Sequence, residues 1–510
     1  MKLKFILVAA SVIFLFGIYG WRCSSSKKAH GGKQQRETAQ ASTASGNPGI
    51  VNLSAAAATS SSSNESSASG AISISTAHAV PLYKQIHSAC TADIFFSKGR
   101  QTRDILADPY FSFVKSFNFT SLQYSGGSTA DHDHAIVGDT RISGGKGDGY
   151  NIRAEDCKVR GEDINSVVDG VGSVHFGVDF FNEYCALLNK LGIPGDLIAN
   201  VQAGTLDELY WKIEQSHAER VIFGMEQNLP SNEFDFPDGK AYKAKITRWM
   251  QSVKEKYPNI IIGIDAAPIY RRLPKFTDWN DQVRDMPGDE VRLYLWDKDA
   301  VDWQQDQNQN LATMDQSFST TFPGWLDKLK QQFPGKKASI WQWGLKPPKT
   351  PLYNTMAACI YIGKFYKFMI DYNKANNNYI SYASFMSLKS LNRGDGGILN
   401  HAYALQVCGK LFTGNKRVLD LSINGINGVV GVACDDPGVS GGKYTLLLIN
   451  ETGNEVSLPN ITVNNSPVRG KKITVTSVNA SSLGSVSVSM DTQTYSSLSL
   501  HPYSVNVVEF

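Results

Sequence analysis

An eight-stranded β/α barrel followed by an antiparallel β-sandwich is the fold this sequence predicts, and three observations predict it. Between about Pro81 and Gly396, short apolar runs alternate with helix-patterned stretches. After Gly396 only period-two runs remain, separated by Asn, Gly and Ser clusters. The 510 residues also exceed what one hydrophobic core organises. A composition of 42% hydrophobic and 19% charged residues suits a sizeable core and excludes a wholly disordered or coiled-coil protein. A formal charge of only +3 gives no grip on a polyanion, so nucleic acid is not an expected partner.

In chain order, Lys2 and Lys4 precede an apolar stretch that runs from Phe5 through Trp21 and stops at Arg22. Residues 1–23 therefore read as an export segment, either a cleaved signal peptide or a membrane anchor through residues 5–21. The expected location is extracytoplasmic, secreted or held at the cell surface. Gly20, Trp21 and Arg22 before Cys23 do not resemble a lipidation site. Residues 24–78 are dominated by Ser, Ala and Thr, cannot bury enough apolar surface to offset their ordering entropy, and read as a flexible disordered linker. Beyond Cys23, the cysteines Cys90, Cys157, Cys185, Cys359, Cys408 and Cys434 contain no C-x-x-C pair. That argues against zinc ribbons and thioredoxin chemistry, and leaves both disulfides and buried thiols open.

The barrel is assigned to residues 79–395. Its strands are Leu122 to Ser125, Leu197 to Val201, Val221 to Glu226, Ile260 to Ile264, Val291 to Trp296, Ala338 to Trp343 and Tyr379 to Met386, with a weak one near Ile86 to Phe96. Helical patterns lie between them at Val178 to Leu191, Leu206 to Gln215, Ala241 to Lys256 and Thr355 to Tyr372. Strands alternating with helices at this spacing indicate right-handed crossovers and a parallel sheet; a doubly wound open sheet is the alternative. Residues 396–510 form the sandwich, with strands at Val429 to Ala433, Tyr444 to Ile449, Ile473 to Val478, Val486 to Met490 and Val505 to Phe510.

In a parallel barrel the chemistry lies where strands end. Glu226, in Phe223-Gly224-Met225-Glu226-Gln227-Asn228, is the candidate general acid, with Asn228 beside it; a surface glutamate capping the loop is the alternative. Tyr294 and Trp296 end a later run and are followed by Asp297 and Asp299, while Asp265 ends the run between. Trp341 and Trp343 flank Gln342. Exposed aromatics at a barrel mouth favour carbohydrate, whose apolar ring faces stack on them while hydroxyls bind amides and carboxylates; the same rings equally fill a core. Asp131-His132-Asp133-His134 reads as a polar loop rather than a metal site, and Ser143 to Gly149 as a flexible loop over the site. No cofactor or metal is expected.

Several stretches together resemble the clan of retaining glycoside hydrolases, clan A, that includes the heparanase and arabinofuranosidase families. Leu122-Gln123-Tyr124-Ser125-Gly126-Gly127-Ser128 resembles its second-strand segment, and Phe223 to Asn228 the fourth-strand Gly-Asn-Glu segment whose glutamate is the acid/base. Trp341-Gln342-Trp343-Gly344 resembles the seventh-strand stretch that carries the nucleophile, and Leu498 to Val505 the last sandwich strand. The resemblance covers most of residues 110 to 510 and implies a barrel with a β-sandwich and an oligo- or polysaccharide partner.

This sequence departs from the pattern at three places. Gln342 stands at the nucleophile position, Met225 replaces the asparagine that would bind a sugar hydroxyl, and Gln123 replaces an arginine. A retaining mechanism needs two carboxylates about 5 Å apart, and an amide is a poor nucleophile. The expectation is an exported glycan-binding protein on a hydrolase scaffold, with hydrolysis impaired or absent and a cleft lined by Gln123, Asn228, Tyr294, Trp296, Trp341 and Trp343. Two readings compete with it. One is an active hydrolase that pairs Glu226 with Asp297, Asp299, Asp265 or another carboxylate; the other is a non-catalytic surface scaffold.

Overall fold

The computed structural model describes residues 70–91, 105–124, 180–271, 273–296, 306–345, 352–391, 398–439, 442–468 and 470–510. The export segment, most of the linker, Cys157, Asp131 to His134, Ser143 to Gly149, Asp297 and Asp299 lie outside the described residues.

Eight parallel strands close into a barrel: β2 (Ser88–Cys90), β3 (Ser121–Tyr124), β4 (Gly195–Ala199), β5 (Arg220–Phe223), β6 (Ile261–Ile264), β7 (Glu290–Trp296), β8 (Lys337–Gly344) and β9 (Ile380–Phe385). Closure comes from β2 pairing with β9 through Ser88 and Ser384. The weak first strand falls inside the predicted 86–96 region, and the open-sheet alternative is excluded. Helices α1 (Tyr110–Lys115), α2 (Phe180–Leu191), α3 (Leu206–Ser216), α4 (Gly239–Lys256), α5 (Pro274–Val283), α6 (Gln307–Gln316), α7 (Phe322–Gln332), α8 (Met356–Ala375) and α9 (Asn400–Gly409) lie between and after the strands. The start of α3 follows its sequence: Thr205 accepts the Glu208 N–H while the Glu208 carboxylate accepts the Thr205 N–H, a reciprocal capping box.

The second part is a nine-stranded sheet of order β15-β14-β1-β10-β11-β12-β19-β16-β17. Its strands are β1 (Ala71–Pro81), β10 (Arg417–Asn424), β11 (Val429–Asp436), β12 (Lys443–Asn450), β14 (Asn460–Val463), β15 (Ser466–Pro467), β16 (Ile473–Asn479), β17 (Ser489–Tyr495) and β19 (Ser504–Glu509). A ribbon of β13 (Val456–Leu458) and β18 (Leu498–Leu500) supplies Val456, Leu458, Leu498 and Leu500 to one apolar cluster with Ile72, Ile74, Leu446, Leu448 and Val508. Period two decides the other face. Leu447, Ile449, Val505 and Val507 join the cluster formed with the barrel's helices. Helix α8 lies against this face: a Cβ on Gly363 would stand 3.1 Å from Ile449 Cδ1 and from Val505 Cγ1. A helix covered both by barrel strands and by a sheet is apolar all round, which explains the run Ala357 to Met369.

Four expectations are corrected. Residues 71–78, assigned to the linker, belong to β1, where alternate Ile72 and Ile74 are buried amid a Ser- and Ala-rich composition that hides them. The sheet is not wholly antiparallel, because β1 runs parallel to β14. The strand expected at Val486 to Met490 begins instead at Ser489, and Val486 is exposed. The barrel's last helix, α9, lies beyond residue 395, before the sheet resumes at Arg417. Cys359, Cys408 and Cys434 are buried thiols without a disulfide, and burial pushes the Cys434 thiol up to about 12; Cys90 and Cys185 are buried as well.

Candidate functional site

Glu226 sits just beyond the carboxyl end of β5 in a turn that the surrounding strands fix. Gly224 has φ +81°, and a Cβ there would stand 2.7 Å from both Val201 Cγ2 and Gln227 Cγ, so glycine is required. Glu226 itself has φ +58°, a left-handed conformation that costs a non-glycine residue on the order of 1 kcal/mol and persists only where its surroundings over-determine it. They do so here. The Glu226 carbonyl accepts the Leu229 N–H and the Asn232 side-chain amide, each at 2.9 Å. The Glu226 and Gln227 N–H groups donate to the Asp265 carboxylate, the latter at 2.6 Å.

Asp265, at the end of β6, is fully buried, and its other oxygen is bound by Arg292 of β7. Tyr242 of α4 donates to the Phe223 carbonyl at 2.6 Å and accepts the Asp265 N–H at 3.3 Å. Burial pushes the Asp265 carboxyl above its ordinary range, with Arg292 and the two backbone N–H groups opposing the shift. Both oxygens are thus committed to structure. Asp265, offered by the sequence as a replacement second carboxylate, is instead the clamp on the turn that presents Glu226.

The facing wall comes from β7 and β8, and a β-bulge decides which side chains reach it. Leu293 pairs with Ile340 but Tyr294 pairs with Gln342, so Trp341 is the extra residue. Trp341 and Gln342 therefore both point into the barrel, with Tyr294 and Arg292, while Trp343 points outward and stacks on Phe365 of α8 at 4.3 Å and 11°. Trp343, expected in the cleft, belongs to the shell between barrel and helices. Trp341 is also fully buried; it packs on Tyr382 at 5.0 Å and donates to Ser339, so it fills the barrel interior instead of offering an open stacking face.

Gln342, by contrast, points into the barrel, its amide nitrogen 3.8 Å from the Sδ of Met225, the residue before Glu226. Among the described residues no group donates to its Oε1. Tyr294 is 5% exposed, lies over the Arg292 guanidinium at 4.1 Å, and its hydroxyl has no partner among the described residues. Trp296 packs partly buried against the same interior group of Met225, Tyr294 and Trp341.

Gln123 is fully buried at the end of β3. Asn228 is 7% exposed, and among the described residues neither polar atom of its side chain has a partner. Gln202 donates to Gln227 at 2.8 Å, and Gln227 in turn to the Met225 carbonyl at 3.0 Å. The structure thus brings Glu226, Gln342, Tyr294, Trp296 and Asn228 to the carboxyl ends of β5, β7 and β8. It removes Trp343.

Sequence reasoning missed the clamp of Asp265, Arg292, Tyr242 and Asn232, whose only signal is charge and amide at strand ends. It also missed a buried layer at the opposite end. There Arg220 binds Glu290 at 2.9 Å and Asp196 at 3.4 Å, and Ser381 donates to Glu290 at 2.6 Å. Burial pushes the Asp196 carboxyl up to about 6 against the pull of Arg220.

Solved structures share this architecture. An α-L-arabinofuranosidase from Thermotoga maritima aligns with a TM-score of 0.60 and 13% identity, covering 87% of this chain and all of its own. A Paenibacillus polymyxa xyloglucanase of glycoside hydrolase family 44 aligns with a TM-score of 0.54 and 9% identity, covering 87% of this chain and 99% of its own. This chain shares its fold with these glycoside hydrolases. A family 44 endoglucanase from Clostridium thermocellum aligns likewise, with a TM-score of 0.53 and 11% identity over 87% of this chain and 99% of its own. No family model and no curated protein matches the sequence. At these identities the likeness establishes the glycoside hydrolase-like scaffold.

Proposed function

We propose that this chain binds an oligo- or polysaccharide at the barrel mouth between Glu226 and Gln342, and that the retaining route through an enzyme nucleophile is disabled. The observation that carries the reading is the bulge at Trp341, which re-aims Gln342 into the mouth. Strand alternation alone would not put both Trp341 and Gln342 inside, and the inward Gln342 amide supports the reading that the anion of a two-carboxylate mechanism is missing. The commitment of Asp265 to Arg292 and the Glu226 turn removes one substitute. The apolar run at residues 5–21, read as an export segment, supports a location outside the cytoplasm for this binding.

The over-determined, left-handed Glu226 favours a second reading, an active hydrolase that keeps Glu226 as acid/base. Product release from a broad glycan panel by the wild type, Glu226→Gln and Gln342→Glu separates the two. The first reading expects no release from 2-hydroxy sugars by the wild type and a gain in Gln342→Glu. Wild-type release that is lost in Glu226→Gln and not raised in Gln342→Glu supports the hydrolase.

A further inference from the structure

We propose that the sugar this site takes carries a 2-acetamido group, and that the acetamide supplies the nucleophile the protein lacks. The inference rests on the carbohydrate reading above and names its substrate class. Three groups lie at neighbouring strand ends on the Glu226 side of the barrel. Met225 presents a buried thioether 3.8 Å from the Gln342 amide, an apolar surface that a sugar hydroxyl would leave unsatisfied and a methyl group would fill. Gln342 Oε1 is an open acceptor that suits an amide N–H. Its register partner Tyr294 holds a buried hydroxyl with no partner among the described residues, a donor for an amide carbonyl. Acceptor, donor and apolar patch match the N–H, C=O and methyl of an acetamide; a lone hydroxyl uses one of the three.

The chemistry balances with water alone. Protonated Glu226 gives its proton to the glycosidic oxygen as the acetamido carbonyl oxygen bonds to the anomeric carbon and the bond to the leaving group breaks. The positive charge moves onto the resulting oxazolinium ring, whose N–H donates to Gln342 Oε1. The Glu226 carboxylate then takes a proton from water, the water oxygen bonds to the anomeric carbon, the ring reopens to the acetamide, and the sugar leaves with its configuration retained. This route needs one carboxylate, and the described site presents one.

The test uses the full chain and sugars paired to differ only at C2: chito-oligosaccharides against cello-oligosaccharides, and N-acetylgalactosaminides against galactosides. The N-acetylated member is expected to bind at least about tenfold more tightly, and Tyr294→Phe to abolish most of that preference. Because the Tyr294 hydroxyl has no partner among the described residues, its removal is expected to leave the melting temperature unchanged. Replacing the acetyl group by trifluoroacetyl, a weaker nucleophile, slows turnover; an unchanged rate overturns the assisted step. N-acetyl preference without any turnover also overturns that step and leaves the ligand class standing. Equal binding of the 2-hydroxy partners overturns the whole inference while glycan binding survives, and failure of every pair to bind overturns both.

Discussion

Substituting Asp265→Asn probes the clamp on Glu226 at constant side-chain volume. In the wild type one carboxylate oxygen takes the Gln227 N–H at 2.6 Å and the other takes the Arg292 guanidinium, with both partners buried. Asparagine offers one acceptor. Whichever way it turns, its NH2 group faces a donor, and Arg292, 3% exposed, loses its counter-ion. Breaking a buried pair from one side costs about 3 to 5 kcal/mol, a fall in melting temperature of about 3 to 5 °C for a folded part of this size. Calorimetry measures it, and the design includes Arg292→Met with Asp265→Asn, which removes the stranded charge and is expected to recover part of the loss. Glycan affinity falls in the single variant because the Glu226 turn is released. A melting temperature within about 1 °C of wild type, or a double variant as unstable as the two losses added, refutes the clamp.

Other predictions follow from the same geometry. His87 is buried neutral, its Nε2–H donating to the Phe117 carbonyl at 2.8 Å and Nδ1 accepting from Tyr366 at 2.6 Å, and burial pulls it down to about 4. Its stabilising contribution is full above its unfolded value and lost as pH falls from about 6.5 to 4. Asp196 works oppositely: raised to about 6, it binds its proton more tightly when folded, so its contribution to stability grows as pH falls from about 6 to 4. The two largely offset in that window, and Asp196→Asn is expected to steepen the loss of stability on acidification, measured by urea unfolding at pH 6.5, 5 and 4. An unchanged slope contradicts this.

Trp343→Ala is expected to cost about 3 to 5 kcal/mol through the cavity left against Phe365, with glycan affinity unchanged in the variant that remains folded. A chain starting at residue 79 loses Ile72 and Ile74 from the sheet and uncovers β10 and β14, so proteolysis within the C-terminal sheet should accelerate.

The sequence made the barrel legible because each strand interior is an apolar run bounded by helix patterns, and even the three-residue β2 fell in its expected place. Strand β1 was not legible, because two isoleucines in Ala71-Ile72-Ser73-Ile74-Ser75 carry its whole period and their pairing partners lie more than 300 positions away. Glu226 was legible from its place at a strand end after glycine. The fate of its neighbours was not: the bulge between Ile340 and Gln342 breaks the alternation that would set Trp341 and Trp343 on one face. The commitment of Asp265 depends on Arg292, which no spacing rule connects to it. Strand ends locate a site, but bulges and buried charge pairs decide which side chains are free to act there.

The most direct test of glycan binding at this mouth is calorimetric titration of the wild type and Gln342→Ala with the tightest-binding glycan of a broad panel. Saturable binding by the wild type is expected, weakened by about tenfold or more in Gln342→Ala under conditions where calorimetry shows the variant folded. Affinity that is indifferent to Gln342, or no glycan bound at all, contradicts it.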